Sequence, residues 1–157
     1  MTRCVIFLQT SDGTLKLEIR CTQTDWQLSS LAQVCNSLFP QALIHTVERL
    51  YIFDSPRPRN RQDDIEISQW LELLHPFVTV KDLYIYQEFT SHIALVFQEL
   101  VGETVTEVLP ALRTLFLEDP PTSGPVQEAI ERFTAARQLA RLPIAVSHWD
   151  IRGTRWY

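Results

Sequence analysis

Apolar and polar residues alternate along residues 4–9 and again along 14–21, with Ser11, Asp12 and Gly13 between the two runs. A period of two marks a half-buried strand, and Asp-Gly between two such runs is the strongest short-range sign of a β-hairpin. A two-residue type I′ turn on Asp12-Gly13 predicts Leu8 opposite Leu17, Ile6 opposite Ile19 and Cys4 opposite Cys21 on one face. Val5, Phe7, Lys16, Glu18 and Arg20 then occupy the other face, and a slip of one residue would expose the aliphatic row. Cys4 and Cys21 would meet at a non-hydrogen-bonded pair, close enough for a disulfide, although free cysteine also serves as a small buried hydrophobe.

Beyond residue 24 the period lengthens. Asp25 reads as an N-cap, and Leu28, Leu31, Ala32, Cys35 and Phe39 follow at helical spacing until Pro40. Residues 47–53 return to strand alternation, with Leu50 and Ile52 on one face and Tyr51 and Phe53 on the other. The stretch 54–64, with two prolines and many charges, is a surface loop. Asp63 or Asp64 caps a helix whose stripe is Ile67, Trp70, Leu71 and Leu74 and which Pro76 stops. A strand at 80–86 is followed by a helix from about Phe89 to Leu100, burying Ile93, Val96, Phe97 and Leu100, with Gly102 suited to its end and a further turn at 105–109. A strand at 113–118, a breaker-rich loop at 119–125, a helix from Pro125 to about Leu139 and a strand at 144–149 complete the series.

The central apolar residues of the strands are Leu17, Leu50, Leu83, Leu115 and Val146, spaced by 33, 33, 32 and 31 residues. A near-constant period of this size, with one strand and one helix per unit, is the signature of a solenoid whose units bury their faces by stacking. The fold class expected is α/β: a single leucine-rich-repeat-like solenoid of about five strand-helix units over residues 1–150. Its parallel strands lie on one side and its helices on the other, with an N-terminal β-hairpin and a tail at 151–157. A doubly wound enzyme fold also alternates strands and helices. It needs glycine-rich turns where backbone approaches a ligand, whereas the four glycines here are Gly13, Gly102, Gly124 and Gly153 and the turns after the strands begin Asp54-Ser-Pro, Gln87-Glu-Phe and Asp119-Pro-Pro.

Three stretches carry a family resemblance. Residues 21–35 (Cys-Thr-Gln-Thr-Asp-Trp-Gln-Leu-Ser-Ser-Leu-Ala-Gln-Val-Cys), 70–77 (Trp-Leu-Glu-Leu-Leu-His-Pro-Phe) and 133–149 (Phe-Thr-Ala-Ala-Arg-Gln-Leu-Ala-Arg-Leu-Pro-Ile-Ala-Val-Ser-His-Trp) resemble the C-terminal, leucine-rich-repeat-like region of fungal F-box proteins. The resemblance covers nearly the whole chain and implies the substrate-recruiting half of a ubiquitin-ligase adaptor. No F-box segment, the helical motif that docks the ligase scaffold, is visible in these 157 residues.

Charge and chemistry narrow the function. The net charge of -5 argues against nucleic acid and membrane surfaces and leaves protein partners. Three cysteines without a framework or metal spacing point to a reducing compartment, so an intracellular setting, cytoplasmic or nuclear, is expected. The N-terminal apolar run is far shorter than a signal peptide's and alternates like a strand, and no 18 apolar residues are consecutive.

His45, His75, His92 and His148 are scattered without metal-ligand spacing, Ser29, Ser30, Ser91 and Ser123 lack a nucleophile elbow, and Asp63 and Asp64 suit a helix start. The arginines of 56–61 sit beside Asp63, Asp64 and Glu66 and read as a solvated loop. No catalytic residue, cofactor or metal is therefore assigned.

The remaining feature is the outward strand face. If Leu50, Ile52, Leu83, Ile85, Leu115 and Leu117 point inward, Tyr51, Tyr84 and Phe116 form one cross-strand row and Phe53, Tyr86 and Glu118 the next, with Arg49, Asp82 and Trp149 at the margin. Exposed aromatic patches mark partner sites, while cross-strand rings also stabilise a sheet that another segment covers. Tyr51, Phe53, Tyr84, Tyr86, Phe116 and Trp149 are the expected partner-binding residues of a non-catalytic recognition module. The alternative is a small α/β enzyme or ligand-binding protein whose site is built from loops.

Overall fold

The computed structural model describes residues 2–21, 25–54, 67–150 and 152, with the backbone alone for 2–4, 16–21, 25–29, 38, 54 and 88. Residues 55–64 of the expected loop at 54–64, its arginines, the capping aspartates Asp63 and Asp64 and all of the expected tail except Arg152 lie outside these residues, as do the side chains of Cys4, Cys21 and Asp25.

Among the described residues the chain forms a mixed α/β structure with one six-stranded sheet and five α-helices. The elements in order are β1 (Thr2–Thr10), β2 (Thr14–Cys21), α1 (Asp25–Leu38), α2 (Gln41–Ile44), β3 (Val47–Asp54), α3 (Ile67–Leu74) and β4 (Asp82–Ile85). After a 3-10 turn, Gln87–Phe89, come α4 (Thr90–Glu99), a second 3-10 turn, Gly102–Thr106, β5 (Thr114–Leu117), α5 (Pro125–Leu139) and β6 (Ala145–His148). No helix among the described residues is long and apolar enough to cross a membrane.

The strand order is β2-β1-β3-β4-β5-β6. From β3 to β6 the strands are parallel and follow the chain, and the register joins Leu50 to Leu83, Leu83 to Leu115 and Leu115 to Val146. These are the residues of the 31–33 period. The same link recurs at each step: the amides of Lys81, Arg113 and Ala145 donate to the carbonyls of Glu48, Lys81 and Arg113. At the other end of the strands the amides of Tyr86, Glu118 and Trp149 donate to Ile52, Ile85 and Leu117.

The inward rows Leu50/Ile52, Leu83/Ile85 and Leu115/Leu117 are fully buried and share one core with Ile6 and Leu8 of β1. Leu31, Ala32 and Cys35 of α1, Trp70, Leu73 and Leu74 of α3, Ile93, Val96 and Phe97 of α4, and Ile130 and Phe133 of α5 join the same core, so these helices cover one face. α1 packs beside α3, α3 beside α4 and α4 beside α5, where Phe97 and Phe133 stack at 4.0 Å.

The first period-related strand departs from the expected stack. β1 lies between β2 and β3, antiparallel to both, so Leu17 faces Ile6 and belongs to an outer strand separated from Leu50. β1 is long and apolar on both faces, and pairing it on both edges satisfies the main-chain groups that point to either side.

The hairpin register also moves by two residues from expectation. Thr10 and Gly13 close the turn through a 2.9 Å bond from the Thr10 amide to the Gly13 carbonyl, so Cys4 faces Ile19, Ile6 faces Leu17 and Leu8 faces Leu15. The Thr10 hydroxyl accepts from the amides of Asp12 and Gly13, both at 3.2 Å. Neither Asp12 nor Gly13 takes the positive φ that a type I′ turn demands. A side-chain oxygen thus substitutes for turn dihedrals, as Ser and Thr do in such turns. An even shift preserves the faces, but it sets Cys21 opposite Thr2 and removes the geometric premise of a Cys4–Cys21 disulfide, because diagonal neighbours stand about 7–8 Å apart.

Candidate functional site

The face of the sheet opposite the helices carries three cross-strand rows. Strand alternation and the parallel register set Gln9, Arg49, Asp82 and Thr114 in the first, Phe7, Tyr51, Tyr84 and Phe116 in the second, and Val5, Phe53, Tyr86 and Glu118 in the third. Tyr51 and Tyr84 stack at 4.1 Å and 17°, and Tyr84 and Phe116 at 4.3 Å and 3°. Phe7 meets Phe53 edge to face at 5.5 Å.

Trp149 completes the cluster. Its amide continues the β5–β6 ladder at Leu117, and its indole reaches back across β5 until Nε1 donates to the Ile85 carbonyl of β4 at 3.3 Å. The ring centroid lies 5.3 Å from Tyr84, 5.7 Å from Phe53 and 6.3 Å from Tyr51. A tryptophan buried on its apolar faces needs a partner for its N–H, and the Ile85 carbonyl supplies one.

All six expected site residues therefore come together, but not as an open patch. Tyr51, Phe53 and Trp149 are 6%, 6% and 7% exposed, whereas Tyr84, Tyr86 and Phe116 are half-buried. Trp149 lies over the centre of the face and not at its margin, and it is part of what covers Tyr51 and Phe53. The less buried strip of the cluster is Tyr84, Tyr86 and Phe116, with half-buried Phe7 on the far side. Phe7 and Val5 were legible as the outward face of the hairpin. What hid their membership was the placement of β1 beside β3.

The polar row borders the rings. Arg49 Nε lies 3.3 Å from Asp82 Oδ2, and Gln9 Oε1 accepts from both Arg49 Nη1 and the Tyr51 hydroxyl at 3.3 Å. Burial raises the Tyr51 phenol above its usual pKa, and burial followed by the neighbouring Tyr51 raises Tyr84 still further. Both phenols are neutral hydrogen-bonding groups at physiological pH.

A buried cation stands elsewhere in the fold. Arg137 of α5 is completely buried, and its guanidinium donates to five main-chain carbonyls, those of Val105, Leu109, Pro110, Leu112 and Leu142, at 3.0–3.4 Å. Its signal in the sequence was an arginine standing where the stripe Ile130, Phe133 calls for an apolar residue.

Among the described residues no group of three or more His, Cys, Asp or Glu side chains is placed to hold a metal ion. A polar cleft of about 440 Å³ opens beyond the carboxyl ends of β4 and β5, between Gln87, Thr90 and Ser91 on one wall and the loop from Asp119 to Val126 on the other. Comparison with family models, with curated proteins and with solved structures found no match to this chain.

Proposed function

We propose that this chain is a non-catalytic protein-protein recognition module built as a leucine-rich-repeat-like stack. The F-box-like resemblance read from residues 21–35, 70–77 and 133–149 supports a role as the substrate-recruiting part of a ubiquitin-ligase adaptor inside the cell. The observation that carries the reading is the Tyr51–Tyr84–Phe116 stack, lying on the sheet face that no helix covers among the described residues and leaving Tyr84, Tyr86 and Phe116 only half-buried. Such rings offer contact area with few rotatable bonds to immobilise, which suits them as interface anchors.

The test is affinity capture from native extract with wild-type protein and a Tyr84→Ala/Phe116→Ala variant whose circular dichroism matches wild type. Proteins held by the first and lost by the second are expected, and a ligase scaffold among them would support the adaptor role. Identical captures would refute the site.

A second reading, a small-ligand binder or enzyme, draws on the cleft beyond β4 and β5, because ligands of parallel sheets gather at the carboxyl ends of the strands. Gln87 Nε2 donates to Asp119 Oδ2 there at 3.1 Å, beside the hydroxyls of Ser91, Thr122 and Ser123. A metabolite that stabilises the wild type but not Asp119→Asn in a thermal-shift screen would favour this reading.

A further inference from the structure

Hydroxyl groups gather at the cleft beyond the carboxyl ends of β4 and β5. Thr90 and Ser91 open α4 on one wall, and Thr122 and Ser123 stand on the loop that leads into α5 on the other. Ser91, Thr122 and Ser123 are exposed, but Thr90 is 6% exposed and its Oγ1 is buried with no hydrogen-bond partner. Thr10, Thr46, Thr79, Thr104, Thr106 and Thr134 each commit the hydroxyl to a main-chain group. A buried hydroxyl without a partner is a standing cost to the fold, and here it falls on the wall of a cleft of about 440 Å³, within the range of small-molecule sites. At the mouth, exposed Gln87 and Asp119 are joined by the 3.1 Å bond from Nε2 to Oδ2, which leaves Asp119 Oδ1 as an acceptor beside the second Nε2 proton as a donor.

We propose that this cleft binds a neutral sugar ring, with Asp119 and Gln87 holding two adjacent ring hydroxyls and Thr90 a third. The proposal rests on the second reading above, in which the cleft takes a small ligand, and names its class. Charge decides between candidates. α4 and α5 both begin at the cleft without a side-chain cap, and each N-terminus carries about half a positive charge. Against them stands Asp119, the one charged side chain among the described lining residues, while neighbouring Glu118 accepts from the Gln87 amide at 3.3 Å. The carboxylate repels a phosphate and the helix ends repel an ammonium, so a ligand without charge that both donates and accepts fits best. One ring hydroxyl donates to Asp119 Oδ1 and the next accepts from Gln87 Nε2. Half-buried Pro120 and Pro121 offer apolar surface to the C–H face of the ring. With Pro125 they also fix φ at three positions of the loop, so less freedom is lost when a ligand orders it.

The test is titration of the isotope-labelled full chain, followed by its amide resonances, with glucose, galactose, mannose, N-acetylglucosamine and their methyl glycosides. Concentrations run from about 0.5 to about 100 mM, because a ring of about twelve to fifteen non-hydrogen atoms at ordinary ligand efficiency binds in the millimolar range. At least one sugar is expected to shift the amides of Thr90, Ser91, Ser123 and Val126 saturably. A methyl glycoside that binds like its parent identifies the terminal ring of a glycan, and binding of the parent alone identifies a free sugar. Asp119→Ala weakens binding at least about tenfold. Thr90→Val keeps the shape, removes the unpartnered hydroxyl, weakens binding about threefold to tenfold and raises Tm, a combination that damaged packing does not produce. Inorganic phosphate and ethylamine are the charged arms. If either shifts these amides and no sugar does, the sugar proposal falls while the small-ligand reading stands. If no probe shifts them, both fall, and sugar binding that Asp119→Ala and Thr90→Val leave unchanged overturns the proposal as well.

Discussion

Replacing Arg137 by methionine tests whether a cation can serve as a structural core group without a carboxylate. The side chain takes a position in the apolar stripe of α5, after Ile130 and Phe133, and is entirely buried. Its five N–H groups meet five carbonyl oxygens: Nε to Leu142 at 3.2 Å, Nη1 to Val105 and Leu109 at 3.3 and 3.4 Å, and Nη2 to Pro110 and Leu112 at 3.4 and 3.0 Å. Burial lowers the guanidinium pKa from its ordinary value, so the fold bears a cost for the charge, and the carbonyls offset it.

Methionine fills much of the volume and removes that cost, but it orphans the acceptors. Leu109 keeps one partner, the amide of Leu112. The carbonyls of Val105, Pro110 and Leu112 lose the guanidinium, and an unsatisfied buried acceptor costs roughly 1–3 kcal/mol. Less the relief of the buried charge, the loss is about 3 kcal/mol, against a total stability of about 5–15 kcal/mol for a domain. Urea unfolding followed by far-UV circular dichroism is the assay. With a slope of about 2 kcal/mol per molar, the midpoint falls by about 1.5 M. Arg137→Lys, with three donors, is expected in between. Hydrogen exchange supplies a local readout: the amide of Leu112 loses protection before the β3–β4 ladder does. A methionine variant within about 0.5 kcal/mol of wild type, the range of an inert surface change, would refute the reasoning.

Arg141 occupies the left-handed position after α5 at φ +62°, inside a complete Schellman motif in which the amides of Arg141 and Leu142 donate to Gln138 and Arg137. Arg141→Gly should therefore stabilise by about 0.5–1 kcal/mol and raise Tm by about 2–4 °C, and an unchanged or lower Tm would contradict the strain. Burial pushes the Cys35 thiol up to about 11, so in a Cys4→Ser/Cys21→Ser background it should resist a disulfide reagent at pH 8 until urea is added. Reaction at the rate of a free thiol would place Cys35 outside the core. Tyr51 and Tyr84 both have folded pKa values raised above their unfolded value of about 10, so the stability tied to their neutral forms is whole below pH 10 and is lost as pH rises beyond it. Unfolding midpoints should drop as pH rises above about 10, and Tyr84→Phe should flatten that drop, which a pH-independent midpoint would exclude.

The parts of this fold that were legible are those in which local pattern and tertiary need agree. Leu50, Leu83, Leu115 and Val146 carry the period because parallel neighbours in register must present like residues to one core, and the register joins all four. The period could not reveal that β1 is interposed between Leu17 and Leu50. Strand alternation specifies faces and is silent about neighbours, and Val5 and Phe7 fit an outer row in either arrangement. The hairpin register turned on a hydroxyl, since Thr10 outcompeted the Asp-Gly dipeptide by accepting two amides. Arg137 was hidden for a related reason: its partners are main-chain carbonyls from 105–112 and from Leu142, which carry no side-chain signature.

The outer face also bears on which surface a partner can use. A sheet with helices on one side must still shield the apolar side chains of the other, and here the shielding is local. Trp149 reaches from the end of β6 to the Ile85 carbonyl, so burial is deepest at Tyr51 and Phe53 on β3. Tyr84, Tyr86 and Phe116 on β4 and β5 stay half-open beside the carboxylate of Glu118. Each ring contact contributes about 0.5–1.5 kcal/mol beyond its buried area. A partner that displaced Trp149 would therefore forfeit its contacts with Tyr51, Phe53 and Tyr84 together with one hydrogen bond. A partner lying along Tyr84, Tyr86 and Phe116 keeps them and adds the indole edge to its own contact area. On the proposed recognition role, a partner would therefore be favoured beside Trp149, along β4 and β5, over one at the centre of the aromatic cluster.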